Sequence, residues 1–179
     1  MDKVLIIVLV IVLAILGLIA LYISVYNRLQ KYLIRINESE TIIDECLRKK
    51  YDILVSMETI INSQTELKQD NLSSIKSDEM SSFEVDRKLT QIADLFKKIK
   101  LDYEKELNIS TYHDNEVQLK KNNEKCDATK AYYNKNITEL NMLVKKFPTN
   151  VIAKLHGFKE KAYFDNKNMS DENIFDFKI

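Results

Sequence analysis

The sequence predicts an all-α membrane protein, an N-terminal transmembrane helix followed by an antiparallel bundle of three to four long helices. Three observations lead there. The 179 residues include only two Gly and one Pro, whereas a sheet protein needs turn residues about every 8–12 positions. Residues 4–23 read VLIIVLVIVLAILGLIALYI, without a charge. Beyond them, apolar residues recur at alternating steps of four and three, the period of one helix face.

The apolar run comes first. About 20 residues at ~1.5 Å rise cross the ~30 Å hydrocarbon core of a bilayer. The run exceeds the about 7–15 residues of a signal-peptide core, and no A-x-A-like cleavage site follows it, so an uncleaved anchor is expected. Tyr22 and Tyr26 sit where interfacial aromatics belong. Lys3 stands alone before the span, and Arg28, Lys31 and Arg35 follow it. The positive-inside rule therefore expects a single-pass cell-membrane protein with its N-terminus outside and its bundle in the cytoplasm. The expected organisation is a short tail at 1–3, an anchor at 4–25, a bundle at 26–164 with a tip segment at 147–164, and a disordered tail at 165–179.

Leu29, Leu33, Ile36, Ile43, Leu47, Leu54, Met57 and Ile61 form the seam of the first bundle helix, broken only by Glu40 and Lys50. The helix begins so close to the anchor that the two are expected to be continuous. Asn62–Ser82 is Ser-rich and polar, which suggests a loop with a helical piece around Leu67–Ile75. Val85, Leu89, Ile92, Phe96, Ile99 and Tyr103 give a second helix. A tight reversal near Asn108–Ser110 leads to a third helix from Tyr112 to Phe147, with seam residues Leu119, Cys126, Tyr133, Ile137, Leu140, Val144 and Phe147. Pro148 stops it. With short links, successive helices alternate in direction. The third then ends far from the membrane, with the tip roughly 50 Å out by the helical rise.

Composition limits the function classes. Twenty-seven basic and 27 acidic residues cancel, so nucleic acid is not expected as a main partner. Cys46 and Cys126 have neither framework nor metal spacing and read as reduced core thiols. His113 and His156 lie in different elements, and the acidic tail (Asp165, Asp171–Asp176) lacks the Gly-hinged loop of a calcium site. No G-x-S-x-G, G-x-x-x-x-G-K or H-E-x-x-H motif occurs. Neither a cofactor nor a catalytic group is expected.

Three stretches carry a family resemblance. Tyr26-Asn27-Arg28-Leu29 follows the anchor, and Ile43-Asp44-Glu45-Cys46-Leu47-Arg48-Lys49-Lys50-Tyr51-Asp52-Ile53-Leu54 lies in the first bundle helix. The third comprises Tyr132-Tyr133-Asn134, Leu140-Asn141, Phe147-Pro148-Thr149-Asn150-Val151-Ile152-Ala153 and His156-Gly157-Phe158-Lys159-Glu160-Lys161-Ala162-Tyr163-Phe164. In order and spacing the chain resembles the LemA family of bacterial membrane proteins, most specifically in the FP-x-N…A…GF-K…YF tail. Val55-Ser56 stands where the family usually has Pro-Asn, a usual Tyr-Pro-x-Leu segment is missing around Leu101–Asn108, and Asn123 replaces a usual Glu. The resemblance implies an anchored bundle of long helices and brings no biochemical activity with it.

The candidate sites are therefore interaction sites. Asp44, Arg48 and Asp52, at i,i+4 spacing, form either a docking patch or a solvated face of helix ion pairs. Glu40 and Lys50 break the seam and could set register or self-association, or could snorkel. In the tip, Phe147, Pro148, Asn150, Phe158, Lys159, Tyr163 and Phe164 combine aromatic and basic character. They either contact a partner or a second membrane, or fold back to cap the bundle; at roughly 50 Å out, contact with the chain's own bilayer is not expected. Gly157 is suited to cap a short helix after Pro148. The expected partners are the lipid bilayer through residues 4–25 and a second copy or another membrane protein. The function expected is a membrane-tethered scaffold or interaction module. The alternatives are an accessory or sensor subunit of a membrane enzyme such as a peptidase, and a membrane-organising oligomer.

Overall fold

The absence of Gly and Pro between residues 2 and 64, apart from Gly17, lets one helix run the whole way. In the computed structural model, which describes residues 2–75, 80–103 and 109–165, α1 spans Asp2–Gln64. A 3-10 turn at Leu72–Ser74 follows, then α2 (Ser82–Asp102), α3 (Ile109–Lys145) and α4 (Thr149–Leu155). The described residues contain no strand. Along its N-terminal apolar stretch α1 is long and apolar enough to cross a membrane, and that stretch is not buried by the rest of the chain. The acidic tail lies outside the described residues, except Asp165, and so do the five link residues before Ile109.

The chain divides into two compact units. Among the described residues, one holds 2–37 and 134–163, and the other holds 38–75, 80–103, 109–133 and 164–165.

In the second unit, Ile43, Leu47, Leu54, Met57 and Ile61 of α1 are buried against Leu89, Ile92, Phe96 and Ile99 of α2 and Tyr112 and Cys126 of α3, with Leu72 added from the connector. The directions of these helices differ from the expected alternation. Ser82 donates to Asp44 and Lys50 donates to Thr90, so α2 runs parallel to α1. Asn115 donates to Ser56, Asn122 to the Cys46 carbonyl and Tyr133 to Glu40, so α3 runs antiparallel to it. The polar connector, rather than α2, makes the return. Asn62 exchanges two hydrogen bonds with the Gln69 backbone, and the Asn71 N–H donates to Glu58. Leu67, Leu72 and Ile75 tuck apolar side chains into the core along the way. An irregular chain covers up to ~3.3 Å per residue against ~1.5 Å for helix. A connector shorter than the helix it retraces is therefore long enough. At its end Ser81 and Glu84 form a reciprocal capping box that starts α2, a signal visible as Ser-x-x-Glu.

In the first unit, Val25, Leu29 and Ile36 of α1 are buried, as are Ile137, Leu140 and Leu143 of α3 and Ile152 and Ala153 of α4. Tyr32 donates to Glu139 across the helices. Phe147, expected to close the α3 seam, is exposed, because α3 ends at Lys145 and the chain turns. Thr149 secures that turn by donating to the Leu143 and Lys146 carbonyls. Gly157, at φ 70°, ends α4. Its N–H bonds the Lys154 carbonyl and the Phe158 N–H bonds the Ala153 carbonyl, the paired pattern of a Schellman cap.

The expected remote position of the tip is corrected here. The Tyr22 hydroxyl lies 2.5 Å from His156 Nε2, and the Tyr26 and His156 rings are 4.7 Å apart. The tip therefore sits at the C-terminal end of the apolar stretch of α1. The physical reason is the connector: once it has made one return, α3 makes the second.

Candidate functional site

Two side-chain constellations stand out, one in each unit. In the second unit a partly buried ion network joins three helices. Lys50 is almost fully enclosed, and its Nζ donates to Asp86 Oδ1 at 3.0 Å and to Thr90 Oγ1 at 2.7 Å. Lys130 of α3 donates to the other Asp86 oxygen and, at 3.3 Å, to Asp127. Its Nζ also lies 5.2 Å from the centroid of the Phe164 ring, which meets Phe83 and Tyr133 edge-on. Burial pushes the Asp86 carboxyl up, but Lys50 and Lys130 more than offset it and hold it below its ordinary value. Burial likewise pushes Lys130 down, and Asp86 more than offsets that. Both groups stay charged, and their charges are spent on each other. The arrangement leaves neither group as a free acid or base.

Of the two seam polars, Lys50 is thus one arm of an intrachain network centred on Asp86. Glu40 is exposed and accepts from Tyr133 at 3.2 Å. Burial, with Glu40 adding to it, raises the Tyr133 phenol above its ordinary value. Sequence reading missed Asp86 and Lys130. Asp86 follows the seam residue Val85 directly, and Lys130 stands four residues after the seam residue Cys126, so each flanks an apolar face. Nothing in the spacing says that the two meet.

The expected charged patch lies beside this network. Asp44, Arg48 and Asp52 line an open groove of about 640 Å³ together with Tyr51, Met80 and Val85. Asp44 accepts from Ser82, and the i,i+4 ion pairs Asp44–Arg48 and Arg48–Asp52 do not close.

The other constellation is the tip, where a strap folds back on α3 within the first unit. Asn141, buried on α3, holds the Lys161 backbone at both ends. Its Nδ2 donates to the carbonyl at 2.8 Å, and its Oδ1 accepts from the N–H at 2.9 Å. Tyr163 shares a hydrogen bond with Thr138 at 3.0 Å, and Lys145 pairs with Glu160 at 2.9 Å. Phe158 packs edge-on to Tyr26. Asn150 Oδ1 is buried without a hydrogen-bond partner. Phe147, Pro148 and Lys159 remain exposed. The tip candidates therefore separate: Phe158 and Tyr163 fold inward, while Phe147, Pro148 and Lys159 face solvent. Phe164 belongs to the cluster around Lys130 in the other unit.

No group of three or more His, Cys, Asp or Glu that could hold a metal occurs among the described residues. Cys46 and Cys126 are free and buried. Burial pushes the Cys126 thiol up to about 11, with Asp86, Cys46 and Asp127 adding to the rise against the opposing pull of Lys130. Iodoacetamide near neutral pH is therefore expected to label Cys126 only slowly in the folded protein and quickly in urea, as followed by mass spectrometry. Labelling at equal rates in both would contradict the burial.

No curated protein and no solved structure matches the chain. The LemA family matches residues 41–175, a stretch that takes in the Lys50–Asp86–Lys130 network, the Asn141 clamp and α4. With a match over most of its length, this chain belongs to the LemA family.

Proposed function

We propose that the protein is a membrane-tethered interaction module, held in the bilayer by residues 4–25 with its bundle in the cytoplasm. One observation carries this reading: the N-terminal part of α1 is apolar and unburied, yet the same helix continues without interruption into packed structure. A soluble protein would leave that surface in water at a cost of about 25 cal/mol per Å². The ionised groups of the interior are mutually satisfied, which supports a structural rather than a catalytic role for them. Surface remains for binding in the groove at Asp44, Arg48 and Asp52. That groove favours a second reading, an accessory subunit that docks a larger membrane enzyme there. Self-assembly is the remaining form of the proposal, and it would use the anchor and exposed faces, since the donors of Lys50 are engaged within the chain.

The test is the mass of the full-length protein extracted gently from membranes, by light scattering corrected for detergent. A defined multiple of 21.0 kDa supports a self-assembling scaffold. A monomer that retains one membrane protein in fixed ratio, and loses it on Arg48→Ala, supports the accessory reading. Recovery of the protein in the supernatant after carbonate washing of membranes would overturn the anchor itself.

A further inference from the structure

The short helix α4 leaves a line of large apolar side chains uncovered. Val151 and Leu155 are four residues apart on it, and Phe147 stands in the turn before it, outside the helix. Their exposures are 57%, 72% and 76%. A helix places residues four apart on one side. Here that side is turned away from Ile152 and Ala153, the pair that packs into the first unit. Scattered exposed apolar residues need no explanation, but three large ones within one short helix and the turn before it are a candidate interaction surface. Lys146, Lys154 and Lys159 stand exposed around it.

The position of this line decides what covers it. His156 directly follows Leu155 and touches both Tyr22 and Tyr26. These tyrosines lie at the C-terminal end of the apolar, unburied stretch of α1. The exposed residues thus stand near the C-terminal end of that stretch, where headgroups would begin if the stretch spans a bilayer. Apolar residues ringed by lysines match an interface of acyl chains below and anionic headgroups above.

We propose that α4 and the turn before it are a second, interfacial membrane contact, with Phe147, Val151 and Leu155 dipping into the leaflet that the anchor enters. Lys146, Lys154 and Lys159 engage anionic headgroups. The inference rests on residues 4–25 spanning the bilayer. The contact gives the first unit a fixed orientation at the membrane, which a single helix free to rotate about its axis would not.

The chain contains no Trp, so one substituted Trp reports its own surroundings. Full-length Leu155→Trp is reconstituted into phosphatidylcholine–phosphatidylglycerol vesicles in which part of the phosphatidylcholine carries bromine on its acyl chains. Leu13→Trp marks the anchor. Ile34→Trp, an exposed site roughly 16 Å further along α1 than Ile23 by the helical rise, marks the aqueous side. The expected result is blue-shifted emission from Leu155→Trp, mostly quenched by bromine near the headgroups and less by bromine near the bilayer centre, with Ile34→Trp unaffected. Replacing Lys146, Lys154 and Lys159 with Gln is expected to reduce the quenching, and no change would overturn the role given to the lysines. Unquenched Leu155→Trp beside quenched Leu13→Trp would overturn the contact while leaving the anchor standing. Unquenched Leu13→Trp would overturn the anchor and the contact with it.

Discussion

Asp86→Ala is expected to destabilise the protein by about 3–5 kcal/mol, the usual cost of leaving a buried ion without its partner. The variant strands two cations at once. Lys50 has a side-chain exposure of 5% and loses its only carboxylate, keeping Thr90 as an acceptor. Lys130 keeps Asp127, which is itself largely exposed, and the face of the Phe164 ring. The measurement is the thermal or urea midpoint of the full-length protein in mild detergent, followed by circular dichroism. Replacing Lys50, Asp86 and Lys130 together by Met, Leu and Met is expected to cost far less, because no charge is then left buried. The pH dependence follows from the same groups. The Asp86 carboxyl is held below its ordinary value, so its contribution is present above the unfolded carboxylate range and is lost as pH falls through the folded value. Lys130 is raised, so its contribution is complete below the ordinary lysine value and is lost as pH rises through the folded one. The network thus supports the fold between these limits, and Asp86→Ala should remove its share of the acid-side loss.

Asn141→Ala is expected to release the strap at 157–163. The side chain is 1% exposed and satisfies both backbone groups of Lys161. Leaving a buried polar group unsatisfied costs about 1–3 kcal/mol, and two are affected here. The strap can reach water by peeling away, which limits the expected cost to about 2–3 kcal/mol and makes the effect local opening rather than global unfolding. Trypsin should therefore cut after Lys159 and Lys161 much faster in the variant than in the parent. The thermal midpoint of the bundle should fall less than in Asp86→Ala. Unchanged cleavage would mean that Thr138–Tyr163 and Lys145–Glu160 hold the strap without the clamp.

The apolar period made the packed faces legible. Leu29, Ile36, Ile43, Leu47, Leu54, Met57 and Ile61 are all buried, as are Leu89, Ile92, Phe96, Ile99, Cys126, Ile137 and Leu140. Period does not carry direction, however. A face that is apolar when a helix runs outward is equally apolar when it runs back, so the parallel course of α2 could not be read from its seam. The connector hid the rest, because Leu67, Leu72 and Ile75 are too sparse to reveal a chain that packs without regular structure. The same missing turn put the tip at the wrong end. Lys50 was legible as an exception in the seam, while its partner Asp86 was not, since polar contacts across helices leave no periodic trace. Gly157 as a helix cap was legible because a left-handed residue after a short helix has few other solutions.

The chain returns to the C-terminal end of the apolar stretch of α1, and the proposed membrane contact depends on that return. The direct test is a pulsed electron-spin distance between nitroxides at Asn27 and Lys154 in the reconstituted full-length protein, with Cys46 and Cys126 replaced by Ala. The contacts of His156 with Tyr22 and Tyr26 predict one narrow distribution at short distance. A distribution approaching the ~57 Å that α1 covers between Tyr26 and Gln64 at ~1.5 Å per residue would place the tip at the remote end and contradict the account.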